Sequence, residues 1–180
     1  MTLSPQDAAQ ALEDINRTQR RSALLRGYAS GAPHVLLWSV LWAAGYGLTY
    51  LMPARGGAIW AVIIGIGVVA GVAVLRRARG SAPAWRYGAA FAVLAGFSAA
   101  TLLILRPTNS LQVAAFVPLV VALSYMLGGL WFGLRFVIAG FALAVLTLAG
   151  YFLLREHFLL WMAVVGSGVL LLAGLWLRRA

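Results

Sequence analysis

Any acid–base, metal or nucleophilic chemistry in this chain must be built from four carboxylates, two histidines and fourteen basic residues, because cysteine is absent. All fourteen basic residues are arginine, which stays protonated and so serves poorly as an acid or base. The carboxylates are Asp7, Glu13, Asp14 and Glu156, and only Glu156 stands beside a histidine. The run Arg155-Glu156-His157 is therefore the one place where acid, base and imidazole adjoin. It predicts an interfacial turn that could respond to pH or hold a lipid headgroup. The other histidine, His34, is expected at the opposite membrane face, about 30 Å away across one hydrocarbon core, so the two cannot share a metal ion or haem. Carboxylates or thiolates would be needed beside each histidine for a metal or catalytic centre. These residues predict no catalytic site, no metal site and no cofactor.

Glycine pairs offer no phosphate loop either. Gly65-Ile-Gly67 and Gly166-Ser-Gly168 follow no strand, precede no lysine and sit inside apolar runs. No nucleophile elbow and no His-Glu-x-x-His pattern occurs.

The elements that must carry these few groups are transmembrane helices. The chain is 63% hydrophobic and 10% charged, with mean hydropathy +0.91, which leaves too little polar surface to cover a soluble globule of 180 residues. A membrane helix needs about 20 apolar residues. Six segments meet that length, at 33–52, 57–75, 87–105, 112–130, 134–154 and 157–177. Runs such as Ala58–Leu75 are apolar at almost every position, whereas a β-barrel strand would alternate. Between Gln112 and Leu154 the only charge is Arg135. Gly128-Gly129, Trp131, Gly133 and Arg135 mark the turn that divides this stretch in two. The fold class expected is an all-α, six-span bundle.

Arginine placement orients it. Arg17, Arg20, Arg21, Arg26, Arg76, Arg77, Arg79, Arg86, Arg135, Arg178 and Arg179 fall on one side, and Arg55, Arg106 and Arg155 on the other. The positive-inside rule then predicts both termini in the cytoplasm. No cleavable signal peptide is expected, since the first apolar run follows some thirty polar residues and is long enough to span. Exclusive use of arginine, with abundant alanine, glycine and leucine, points to a GC-rich bacterial genome and hence to an inner membrane. The net charge of +10 finds its counter-charge in anionic headgroups rather than in nucleic acid. Arg17, Arg20, Arg21, Arg26, Arg76 and Arg77 are the expected contacts.

Residues 1–32 form the only long polar segment. Ser4-Pro5-Gln6-Asp7 reads as a helix start, and an amphipathic helix follows to about Arg26, acid first and base last as its dipole favours. It is expected to lie on the headgroups or to dock a cytoplasmic protein. Gly27, Ser30-Gly31 and Pro33 predict a break before the first span.

Two further patterns concern packing. Trp60 to Gly67 resembles Trp161 to Gly168, and Arg86–Arg106 matches Arg135–Arg155 in spacing, which suggests three helical hairpins related by a parallel repeat. Small residues every four positions predict helix seams in lipid: Gly88, Ala92, Gly96 and Ala100 on the third span, Ser39, Ala43 and Gly47 on the first, Gly67 and Gly71 on the second. Any of these could also pair copies into a homo-oligomer. Pro118, inside the fourth span, predicts a kink.

The function expected is that of a non-catalytic inner-membrane component, structural or regulatory, whose N-terminal helix meets lipid or a protein. An uncoupled channel or carrier for a small solute is the alternative. Hydroxyls and aromatics of spans 1, 3, 4 and 5, such as Tyr46, Ser98, Ser124 and Thr147, would line its route. Carboxylate-relay transport is not expected, because no ionisable group falls near the predicted midplane.

Overall fold

A computed structural model describes residues 5–77 and 84–179. Helix α1 spans Pro5–Leu51, α2 Gly56–Arg77, α3 Ala84–Leu105, α4 Ser110–Phe132 and α5 Leu134–Leu153. A last helical run joins α6 (Phe158–Trp161), a π-helical turn at Met162–Gly166 and α7 (Ser167–Arg178). Single 3-10 turns at Pro53–Arg55 and Arg155–His157 lead into α2 and α6. No strand occurs among the described residues.

Among the described residues, five helices are long and apolar enough to cross a membrane: those within 53–74, 88–105, 110–132, 134–153 and 155–178. This suits a multi-pass membrane protein, and the exterior agrees, with Val93, Leu103 and Ile104 among many large apolar side chains left uncovered. The expected count of six is not met on hydropathy. In α1, His34 and the amphipathic rings of Trp38, Trp42, Tyr46 and Tyr50 dilute the apolar run.

The predicted break between an N-terminal helix and the first span is also corrected. α1 runs unbroken for 47 residues with Pro33 inside it, about 70 Å at the α-helical rise. The glycines taken for breakers serve close approach instead. A Cβ on Gly31 would stand 2.8 Å from the Phe136 ring, and one on Gly27 would touch Phe132 at 3.5 Å. Proline costs a helix interior one hydrogen bond, a loss that neighbouring helices can make good. The expected cap Ser4 lies outside the described residues.

The core gathers α1, α4, α5 and the α6–α7 run. Tyr28, Ala32, Val35, Trp42 and Tyr46 of α1 meet Ala115 and Ala122 of α4, Ala139 and Leu143 of α5, and Phe158, Met162, Leu170, Ala173 and Leu177 of the last run. Glycines bring the backbones together: a Cβ on Gly140 would stand 2.6 Å from the Ala122 carbonyl, and one on Gly174 3.2 Å from the Leu36 amide nitrogen.

The turn between α4 and α5 falls where the glycines and Arg135 predict it. Gly133 alone makes it, with φ 110, a conformation open to glycine and costly for other residues. The Gly133 amide donates to the Gly129 carbonyl at 2.8 Å and closes α4. At the other end, the Asn109 side chain caps α4 by accepting from the Leu111 amide at 2.8 Å.

Candidate functional site

The turn between α5 and α6 is built as a 3-10 helix by Arg155, Glu156 and His157, all three exposed. Arg155 places its guanidinium 5.5 Å from the centre of the Tyr151 ring, a cation–π contact that ties the turn to α5. The surface here is a shallow open depression lined by residues 152–157 only. Among the described residues, Glu156 makes no ion pair with either neighbour, the only ion pair being that of Glu13 with Arg17. No group of three or more potential metal ligands occurs among the described residues.

The interior hydroxyls turn to backbone carbonyls. Thr49 donates to Gly45, Ser98 to Leu94, Thr101 to Phe97, Ser124 to Val120 and Thr147 to Leu143, each at 2.7–2.8 Å within its own helix. Ser167 bonds the Ala163 carbonyl inside the π turn. The Tyr46 hydroxyl instead crosses to the Ala114 carbonyl at 2.8 Å, its ring held between Trp42 and Trp60. Such bonds satisfy the hydroxyls where no water is at hand.

Arg135 has a role that composition alone does not reveal. It donates to the Trp176 carbonyl at 2.6 Å, and its guanidinium lies 5.3 Å from the Tyr28 ring centre and 5.0 Å from that of Trp176. One side chain thus joins α1, α5 and the end of α7, where orphan carbonyls and the negative end of the helix dipole favour a cation. The Tyr28 hydroxyl lies against the Gly133 turn, where a Cβ would collide with it. The sequence signal for Arg135 was its isolation within two spans.

A second junction joins α1 to α2 and α3. The Trp38 indole donates to His34 Nε2 at 3.0 Å, so the neutral imidazole carries its proton on Nδ1, a buried atom without a hydrogen-bond partner. α2 receives both rings in glycine notches: a Cβ on Gly67 would lie 2.7 Å from Trp38, and one on Gly71 2.9 Å from His34. Trp38 also stacks on Phe91 of α3, with ring centres 6.1 Å apart. Gly67 and Gly71 therefore accept rings rather than another small-residue stripe. The matching i, i+4 spacing of His34/Trp38 and Gly67/Gly71 was the available clue.

The stripe on α3 is a correction. Gly88, Ala92, Gly96 and Ala100 are exposed, and neither glycine has an atom within 4 Å of where its Cβ would stand. No residue from Gly88 to Leu105 is buried, because α3 touches its neighbours only sparsely through other positions, Phe91 among them. On α1, Ser39 is buried, while Gly47 likewise faces open space.

The arginines assigned to headgroups remain partly described. Arg17 is exposed and lies 3.9 Å from Glu13, one helical turn back. The side chains of Arg20, Arg21, Arg26, Arg76 and Arg77 lie outside the described part of the structure.

What α1 does beyond the bundle is clear from burial. Tyr28 is 9% exposed, whereas Leu12 and Ile15 are 63% and 52% exposed. The described side chains from Leu12 to Gln19 are all exposed, while the core begins at Tyr28. No protein-family model, curated protein or solved structure matches this chain.

Proposed function

We propose that this chain is a non-catalytic, multi-pass component of a bacterial inner membrane, structural or regulatory, whose N-terminal helical arm docks a protein in the cytoplasm. The observation that carries this reading is the unbroken α1. Its second half belongs to the packed core and its first half leaves that core with Leu12 and Ile15 uncovered. A helix that continues straight out of a bundle cannot lie flat on headgroups without bending. The stiff connection therefore favours a protein partner for its apolar side, while headgroups remain the counter-charge for arginines nearer the bilayer.

The second half of α1 counts as a sixth span in this reading, although its hydropathy is diluted. It runs beside the apolar helices from Tyr28, at the α4–α5 turn, to Tyr46, at the start of α4, about 27 Å along the axis. Six crossings and the arginine asymmetry give N-in, C-in topology. Reporter fusions after residues 55, 80, 107, 133 and 155 should alternate between outside and inside; two successive fusions on one side would reject the sixth span.

The hydroxyl bonds to helix carbonyls support packing over a solute route. Mild solubilisation and co-purification, with and without residues 1–26, tests the docking role. A partner held by the full chain and lost on truncation is the expected result; no partner, and unchanged membrane behaviour after truncation, would reject it.

A further inference from the structure

The half-buried guanidinium of Arg135 is fixed in place before any ligand arrives. One of its N–H groups donates to the Trp176 carbonyl at 2.6 Å, and the centres of the Tyr28 and Trp176 rings lie 5.3 and 5.0 Å from it. A guanidinium has five such donors in a planar fork, and among the described residues the Arg135 side chain makes no other hydrogen bond. The rest of the fork is left for an acceptor from outside the chain.

Its charge also lacks a carboxylate. The only ion pair among the described residues joins Glu13 to Arg17. Asp14 lies about 21 Å along α1 from Tyr28, and Glu156 about 30 Å away beyond the far end of α5, at the α-helical rise.

A second arginine stands beside the first. Arg179 follows Trp176 by three residues and is exposed, and its amide still bonds the Leu175 carbonyl at 3.2 Å, so the helical register reaches it. Residues three apart share a helix face, which puts Arg179 on the flank of α7 that carries the Trp176 ring. Arg178 is exposed too, but it falls about 200° around the helix from Trp176, on the opposite flank. Trp176 itself is 41% exposed at the end of a membrane-length helix, the depth of the headgroups, where indole rings concentrate. Phosphate oxygens are the acceptors met at that depth, and a guanidinium fork engages two of them at once.

We propose that Arg135 and Arg179, with Trp176 between them, hold the phosphate of one anionic phospholipid. Two arginines without a carboxylate select a lipid of net negative charge, such as phosphatidylglycerol, over zwitterionic phosphatidylcholine. The site rests on the reading of headgroups as counter-charge and gives one of them a fixed place, bridging α5 and α7.

Full-length protein in mild detergent, titrated with either lipid and read by native mass spectrometry, tests this. The first phosphatidylglycerol should bind at least about fivefold tighter than phosphatidylcholine, the worth of one arginine near a lipid surface. Arg179→Gln should lose about fivefold in that affinity, whereas Arg178→Gln, an equal change of charge one residue away, should lose almost nothing. Equal losses at the two positions show diffuse attraction and overturn the site while the headgroup reading stands. No preference for phosphatidylglycerol in the parent removes both. Arg135→Lys keeps the charge without the fork and should bind phosphatidylglycerol more weakly than the parent; parental affinity in that variant overturns the paired site. Inorganic phosphate at millimolar concentration should leave the complex intact, and displacement by it would make free phosphate the ligand and overturn the lipid.

Discussion

Helices α3 and α5 are close in length and hydropathy, both rich in alanine, leucine and glycine, yet one is buried and the other bare. In α5, Ala139, Gly140, Leu143, Thr147 and Gly150 are buried; in α3, no residue from Gly88 to Leu105 is. Hydropathy cannot explain the difference, because in lipid it decides only that both helices belong in the membrane. Contact between spans depends on shape. Gly140 lets α5 reach the α4 backbone, and Gly150 accepts the Trp161 ring, whose indole goes on to donate to the Leu146 carbonyl at 2.9 Å. The glycines of α3 meet nothing that fits them.

The sharpest way to break this contrast is to add a side chain at a glycine in each region. Gly133→Val places a β-branched residue at φ 110 and drives its Cβ into the Tyr28 hydroxyl. Backbone strain and the displaced tyrosine together should cost about 3 kcal/mol or more. A large fall in the thermal unfolding midpoint in detergent would show it, whereas Gly96→Val should leave the midpoint almost unchanged. Equal midpoints for the two variants would mean that the α4–α5 turn does not hold the bundle as described.

Glycine also marks the limit of what the sequence made legible. The α4–α5 boundary could be placed because Gly133 stood among other turn residues next to an isolated arginine. Gly27, Gly31 and Pro33 looked like a break for the same local reasons, and they are not one. A glycine that reverses the chain and a glycine that admits a neighbouring ring are the same letter. Only Phe132 and Phe136, a hundred residues on in sequence but adjacent in space, decide between the two uses. The N-terminal segment was visible as an amphipathic helix, but its unbroken continuation into the rest of α1 was not, since that depends on packing at Gly31. The Arg135 clamp needed the end of α7 to be placed beside the start of α5, which no local pattern specifies.

Arg135 tests the core side of the comparison at its edge. Arg135→Gln removes a charged hydrogen bond and two cation–π contacts, and should cost about 2 kcal/mol. Arg135→Lys should recover only part of this, because an ammonium lacks the planar surface that stacks between Tyr28 and Trp176. Stability of the pure protein across the three forms ranks them; a lysine variant as stable as the parent would reduce the clamp to simple charge.

Tyr46→Phe deletes a hydroxyl bond that crosses from α1 to α4 and leaves the ring packed between Trp42 and Trp60. The expected loss is about 0.6–1 kcal/mol, the usual worth of a side-chain hydrogen bond between spans. Thr49→Val, which deletes a bond within one helix, should cost less. Reversal of that order would show that the Ala114 carbonyl finds another donor.

The smallest effect is expected at the bare stripe of α3. Ala92→Leu and Gly96→Leu add apolar volume into open space, and replacing glycine also raises helix propensity by up to about 1 kcal/mol, so stability should hold or rise slightly. A seam between copies would behave in the opposite way, since a leucine there would force the backbones apart. Chemical crosslinking of the full chain in native membranes reads this directly. Crosslinked products that are the same in parent and leucine variants leave lipid as the neighbour of α3, whereas a dimer of the parent that the leucine variants lose would place an interface on the stripe and make α3 a buried helix in the assembly.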